Sequence, residues 1–142
     1  MTDVMVFTDL DGSLLDHETY AFDAALPALE ALAGADIPVS IVSSKTRAEI
    51  IPLVSQLNLE GPIIAENGAV IAYPEGFVDS AGHIDDIRQA LEALPERLRA
   101  DIKGFGDMSI AEISQLTGLD EAASALAAQR EASEPFVWSG EG

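Results

Sequence analysis

The chain has 142 residues, 25 acidic against 7 Lys and Arg, no cysteine, and a formal net charge of −18. That balance excludes a basic nucleic-acid face and attraction to anionic membranes, and the missing cysteines exclude disulfides and thiolate metal sites. With 48% apolar residues, no basic-then-apolar leader and no run of about 20 apolar residues, it reads as a folded, soluble, cytoplasmic protein with no membrane or nucleic-acid partner.

Val4 to Thr8 is a short apolar run with β-branched residues, and Asp9-Leu10-Asp11-Gly12 stops it. This predicts a buried strand followed by a turn. Phe22 to Gly34 places Leu26, Leu29, Leu32 and Ala33 at helical spacing, with Gly34 as its stop. Ile37 to Val42 is a second strand, ended by Ser43-Ser44-Lys45-Thr46. A helix over Arg47 to Leu57 follows, in which Pro52 suits only the first turn. Pro62 to Ala65 reads as a third strand, Glu66-Asn67-Gly68 as a turn and Val70 to Tyr73 as a hairpin arm. Strands and helices alternating on short links predict βαβ units in a parallel sheet.

The pattern changes near residues 76–84. Gly76 to Gly82 reads as a loop and Ile84 to Leu98 as an amphipathic helix, ended or kinked at Pro95. Ile102 to Met108 reads as a strand end and loop. Ser109 and Glu112 then form a capping box before a helix that stops at Gly118. Asp120 starts an Ala-rich helix reaching about Ser133, and Pro135 to Trp138 reads as a strand with Phe136 and Trp138 as packing residues. His17 and His83 share no ligand spacing and read as solvated loop residues.

The chemistry concentrates in Phe7-Thr8-Asp9-Leu10-Asp11-Gly12-Ser13-Leu14-Leu15-Asp16, two carboxylates at the carboxyl end of a strand, where open α/β sheets bind ligands. One carboxylate can attack phosphorus while its neighbour moves a proton, and together they can hold a hard cation such as Mg²⁺. A calcium loop starting at Asp9 would need Gly sixth and Glu twelfth, where Leu14 and Tyr20 stand. A solvated turn is the plain alternative. Ser43, Ser44 and Lys45 end the next strand on the same sheet edge, and they fit either a phosphate cradle or an ordinary helix cap.

FTDLDGSLLD, IVSSKTRAEI and IIAENGAVI together resemble the haloacid dehalogenase (HAD) superfamily of phosphatases. More narrowly, Ser43 to Glu49 and residues 104–136 are similar to the mannosyl-3-phosphoglycerate phosphatases, relatives of sucrose-phosphate phosphatase. The resemblance implies a HAD-like Rossmannoid parallel sheet over residues 1–80, the N-terminal part of a catalytic core, and part of an α+β cap over 81–142. It implies Asp9 as nucleophile, Asp11 as general acid/base, both at Mg²⁺ with Asp11 there through its backbone carbonyl, and Ser43, Ser44 and Lys45 on the phosphoryl group. Asn67 would shape the mouth of the site with Gly68. Gln129, Arg130, Ser133 and Glu134 would read the sugar and the glycerate of a phosphorylated glycosyl-glycerate, on the way to a compatible solute. By spacing alone, Arg130 and Glu134 read instead as an i,i+4 surface pair.

The superfamily also calls for a lysine and a Gly-Asp-x-x-x-Asp loop after the cap. Here only Lys45 and Lys103 stand, and Gly106-Asp107 has no second acid behind it. The chain therefore reads as the first half of a phosphatase, weakly active or inactive alone, with a C-terminal chain as a possible complement. The alternatives are another sugar-phosphate phosphatase of the superfamily, a receiver-like domain, or a non-catalytic interaction module. A receiver would carry its phosphoacceptor after the third strand, where Glu66-Asn67 stands.

Overall fold

In the computed structural model, which describes residues 4–140, β1 (Val6–Thr8), β2 (Val39–Val42) and β3 (Ile63–Ala65) run parallel. The helices α1 (Leu26–Gly34) and α2 (Arg47–Leu57) lie in the two connections. β4 (Val70–Ala72) returns antiparallel to β3, and β5 (Val78–Ser80) follows it, in the order β1-β2-β3-β4-β5. The sheet is α/β in its connections and mixed in its strand directions. β5 lies in the stretch that the sequence reads as loop; Tyr73 N–H donating to Phe77 O closes the turn that brings it back.

The chain divides into two compact units, Met1–Asp79 and Ser80–Gly142. In the first, β2 lies between β1 and β3 with Val39, Ser40 and Ile41 buried, and Ile50, Ile63, Ala65 and Val70 complete a core beside it. The expectation of a buried first strand is corrected. β1 stands at the sheet edge, and Phe7 is 57% exposed with Val4 and Met5 also open to solvent. An apolar β-branched run reports a strand but cannot say whether a neighbour covers it.

α2 runs the full predicted span with Pro52 in its second turn, beyond the first turn that sequence rules allow. Pro52 is exposed, so the carbonyl deprived of its amide partner can meet water. Thr46 and Glu49 brace the start with a capping box, Ile50 is fully buried, and Asn58 closes the end in the left-handed region.

The second unit holds α3 (Ile84–Glu92), the short α4 (Glu96–Arg99), β6 (Ile102–Gly104), α5 (Ile110–Thr117), α6 (Glu121–Ala127) and β7 (Phe136–Trp138). Pro95 separates α3 from α4, and β7 pairs antiparallel with β6. Ser109, Gly118 and Asp120 cap as their positions predict. His83 is exposed and caps α3, its Nδ1 accepting from Asp85 N–H at 3.3 Å. α6 stops at Ala127, six residues short of Ser133, because Arg130 Nε donates to Ala127 O at 3.2 Å and caps its end. Phe136, Val137 and Trp138 are all exposed, so they do not pack as expected. No helix among the described residues is long and apolar enough to cross a membrane.

Candidate active site

The register of β1 against β2 sets Thr8 opposite Ile41, so Asp9 and Ser43 both leave their strands at the carboxyl edge. Past β1 the chain coils tightly. Leu14 N–H donates to Asp9 O at 3.3 Å and Leu15 N–H to Leu10 O at 2.8 Å. Buried Leu10, Leu14 and Leu15 anchor this coil and leave Asp9 and Asp11 exposed. One oxygen of Asp9, Oδ1, accepts from Leu10 N–H at 2.7 Å, which orients the carboxylate. Ser13 also lies in this exposed turn. Asp16 turns away into its own loop, where Oδ1 accepts from the Thr19 and Glu18 amides and the Thr19 hydroxyl. Those bonds, the Thr19 amide foremost, hold Asp16 below the usual carboxylate range.

Across from the acids, Ser43 is buried and Lys45 half-buried. Lys45 N–H donates to Ser43 Oγ at 3.2 Å, and Lys45 Nζ lies 3.5 Å from Asp11 Oδ2 and 4.0 Å from Glu49 Oε1. The structure thus joins Asp11 to the Ser43–Lys45 loop by an ion pair, while Ser44 is exposed beside them. Glu49 is absent from the sequence reading of the site. Its signal was the Thr46-x-x-Glu49 spacing, which also sets it one helical turn from Lys45. Asn67 is exposed, and its N–H donates to Ser43 O at 3.0 Å.

A hard cation needs oxygen donors, and Asp9 and Asp11 are two carboxylates open to solvent with lone pairs left over. Among the described residues no group of three or more His, Cys, Asp or Glu gathers as a metal cage. Two carboxylates suit an ion such as Mg²⁺, which keeps several waters and takes further oxygens from a bound phosphate.

In the second unit the four residues singled out all lie after the end of α6. Gln129 Nε2 donates to Ala125 O at 3.2 Å, and Arg130 Nη1 donates to Ser133 Oγ at 3.3 Å. The surface pair of Arg130 with Glu134 does not form, because the helix that would space them has ended. Glu134 instead folds inward with its side chain 2% exposed. It accepts from Arg88 Nε at 3.1 Å and from Gly106 N–H at 2.5 Å. A Cβ added at Gly104 or Gly106 would fall 2.6 Å from Glu134 Oε1 or Arg88 Nε, so glycine makes room for this pair. Arg88 is 46 residues from its partner, and no local spacing signals it. Lys103 pairs with Glu112, and Asp107 accepts from Gly104 N–H at 2.9 Å and from Arg99. Both are engaged in local structure.

The fold and the placement of its acids define the class: an α/β protein with a carboxylate pair at the ligand-binding edge of its sheet. Residues 6–129 match the haloacid dehalogenase-like hydrolase family, and the chain belongs to that family. It is 37% identical to a glucosyl-3-phosphoglycerate/mannosyl-3-phosphoglycerate phosphatase of Persephonella marina, over 94% of this chain and 55% of that protein. A protein of the same description from Methanococcoides burtonii is also 37% identical, over 93% of this chain and 54% of its own length. The chain therefore spans about half the length of the curated relatives it matches. The fold is shared with solved HAD proteins. A Bacteroides thetaiotaomicron phosphatase has a TM-score of 0.61 at 19% identity, covering 82% of this chain and 47% of that one. A Bacillus subtilis haloacid dehalogenase-like hydrolase has a TM-score of 0.54 at 20% identity, covering 94% and 59%.

Proposed function

We propose that this chain carries the catalytic acids of a phosphoric monoester hydrolase that acts on mannosyl- or glucosyl-3-phosphoglycerate. The observation that carries the reading is the Asp9 and Asp11 pair at the carboxyl end of β1, with Lys45 3.5 Å from Asp11. The 37% identity to relatives described by those substrates supports it. On this reading residues 1–80 are part of the catalytic core and 81–142 part of the cap, and the protein works in the cytoplasm.

Asp9 attacks phosphorus and the bond from phosphorus to the 3-oxygen of the glycerate breaks, leaving an aspartyl-phosphate and the glycosyl-glycerate alcohol. Asp11 gives the departing oxygen its proton, then takes one from the water that releases phosphate and restores Asp9. Ser43 and Lys45 hold the phosphoryl oxygens, with Ser44 beside them. The Asp9 carboxylate and the Asp11 backbone carbonyl would hold Mg²⁺, which offsets phosphate charge when bound. In the cap, Gln129, Arg130 and Ser133 would read the glycosyl-glycerate, Arg130 suiting its carboxylate, while Glu134, expected from the resemblance to join them, is buried against Arg88 and Gly106.

The test is phosphate release from both substrates, with and without Mg²⁺, by the chain alone and mixed with the C-terminal half of the Persephonella marina relative. The mixture is expected to turn over substrate, the chain alone only weakly. Asp9→Asn should lower the rate by about 10³-fold or more. Turnover that survives Asp9→Asn would remove the mechanism.

A further inference from the structure

Residues 66–68 hold three successive positive φ angles: Glu66 at 51°, Asn67 at 59° and Gly68 at 92°. Glycine adopts such angles freely and Asn tolerates them, but a glutamate there is a strained exception. Glu66 is also buried, at 2% exposure, at the carboxyl end of β3. Strain of this kind persists only where the surroundings impose it, and it gathers at functional sites.

What the strained turn achieves is visible in its amides. Glu66 N–H donates to Lys45 O at 2.9 Å, and Asn67 N–H donates to Ser43 O at 3.0 Å. From the other side Ser43 N–H donates to Ile64 O at 2.9 Å. The Ser43–Lys45 loop is thus gripped at both ends by one segment, and Lys45 N–H on Ser43 Oγ ties the two ends to each other. Extended angles at 66 and 67 would turn these two amides away from the loop.

We propose that Glu66 and Asn67 are positioning residues. Through their backbone amides, the left-handed turn sets where Ser43 Oγ and Lys45 Nζ stand relative to Asp11, and so sets the geometry of the phosphate cradle. The inference rests on the reading of Ser43 and Lys45 as phosphate holders. On it, Asn67 acts by its φ angle and needs no contact with substrate.

The side chain and the backbone can be separated. Asn67→Gly keeps the left-handed angle and removes the side chain, whereas Asn67→Val opposes the angle. Affinity for inorganic phosphate in MgCl₂ is measured by calorimetry on the full chain. Asn67→Gly is expected to stay near wild type, and Asn67→Val to bind about tenfold more weakly. Hydrogen exchange at the Ser43 and Lys45 amides should quicken in the Val variant alone. If Asn67→Val unfolds, Asn67→Ala replaces it, with a smaller shift in the same direction. Equal affinity and equal exchange in the Gly and Val variants would overturn the proposal. So would an Asn67→Gly loss as large as that of Asn67→Val, since that assigns the effect to the side chain. Should the wild-type chain bind no phosphate, the cradle reading of Ser43 and Lys45 fails, while the exchange comparison still decides whether the turn holds the loop.

Discussion

The two units are held together by different means. Residues 4–79 bury Leu10, Leu14, Leu15, Val39, Ile41, Ile50, Ile63, Ala65 and Val70. The unit from Ser80 onward buries Ile113, Ala127 and Ala132, and ties itself with Arg88 to Glu134, Arg99 to Glu92 and Asp107, and Lys103 to Glu112. Packing that rests on apolar contact leaves charged groups available for chemistry, and Asp9 and Asp11 stand exposed on such a base. Where the core is thin, the cations serve the fold.

That contrast can be broken deliberately. The largest effect is expected in the first unit: Ile50→Ala should cost about 3 kcal/mol in urea unfolding. Phe7→Ala, on the uncovered strand, should stay within about 0.5 kcal/mol. In the second unit, Glu134→Ala leaves the Gly106 amide and the half-exposed Arg88 guanidinium without their acceptor, for a loss of about 2 kcal/mol by the same measurement. A smaller change follows from Ser109→Ala, which removes the α5 cap and should cost about 1 kcal/mol in thermal unfolding.

Acid gives the mildest probe and the most selective. The Lys103 ammonium, helped by the Ser109 amide, lowers Glu112 from its ordinary 4.5 to about 2. A carboxyl group depressed on folding stabilises above its unfolded value and loses that contribution as pH falls through the folded one. The α5 start should therefore weaken between about pH 4.5 and pH 2. Circular dichroism melts across that window should show a slope that Lys103→Met reduces. An unchanged slope would mean that the pair contributes nothing to the fold.

What the amino-acid order discloses is local. Strand ends marked by Asp9 and Ser43, the span of α2, and the Ser109, Gly118 and Asp120 caps all follow from spacings of a few residues. The acid pair was legible for the same reason, since two carboxylates beside an apolar run need no distant partner to be noticed. Hidden from such spacing are features that depend on what lies opposite. Arg88 meets Glu134 from 46 residues away, β1 stands at the edge of the described sheet, and α6 ends early where the Arg130 side chain folds back onto it. The role of Glu66 is hidden for another cause, because only coordinates show that its φ is positive.

The open edge of β1 also bears on how copies of this chain treat one another. A strand at the edge of the described sheet with Phe7 exposed is a template on which another strand can pair, and proteins commonly guard such edges with charge. Here the guard is global: 18 net negative charges keep copies apart in dilute buffer. Added salt shortens that repulsion to about 3 Å at 1 M while strengthening apolar association. The dispersity of this protein should therefore be governed by ionic strength, with monomers in low salt and edge-paired species as salt rises.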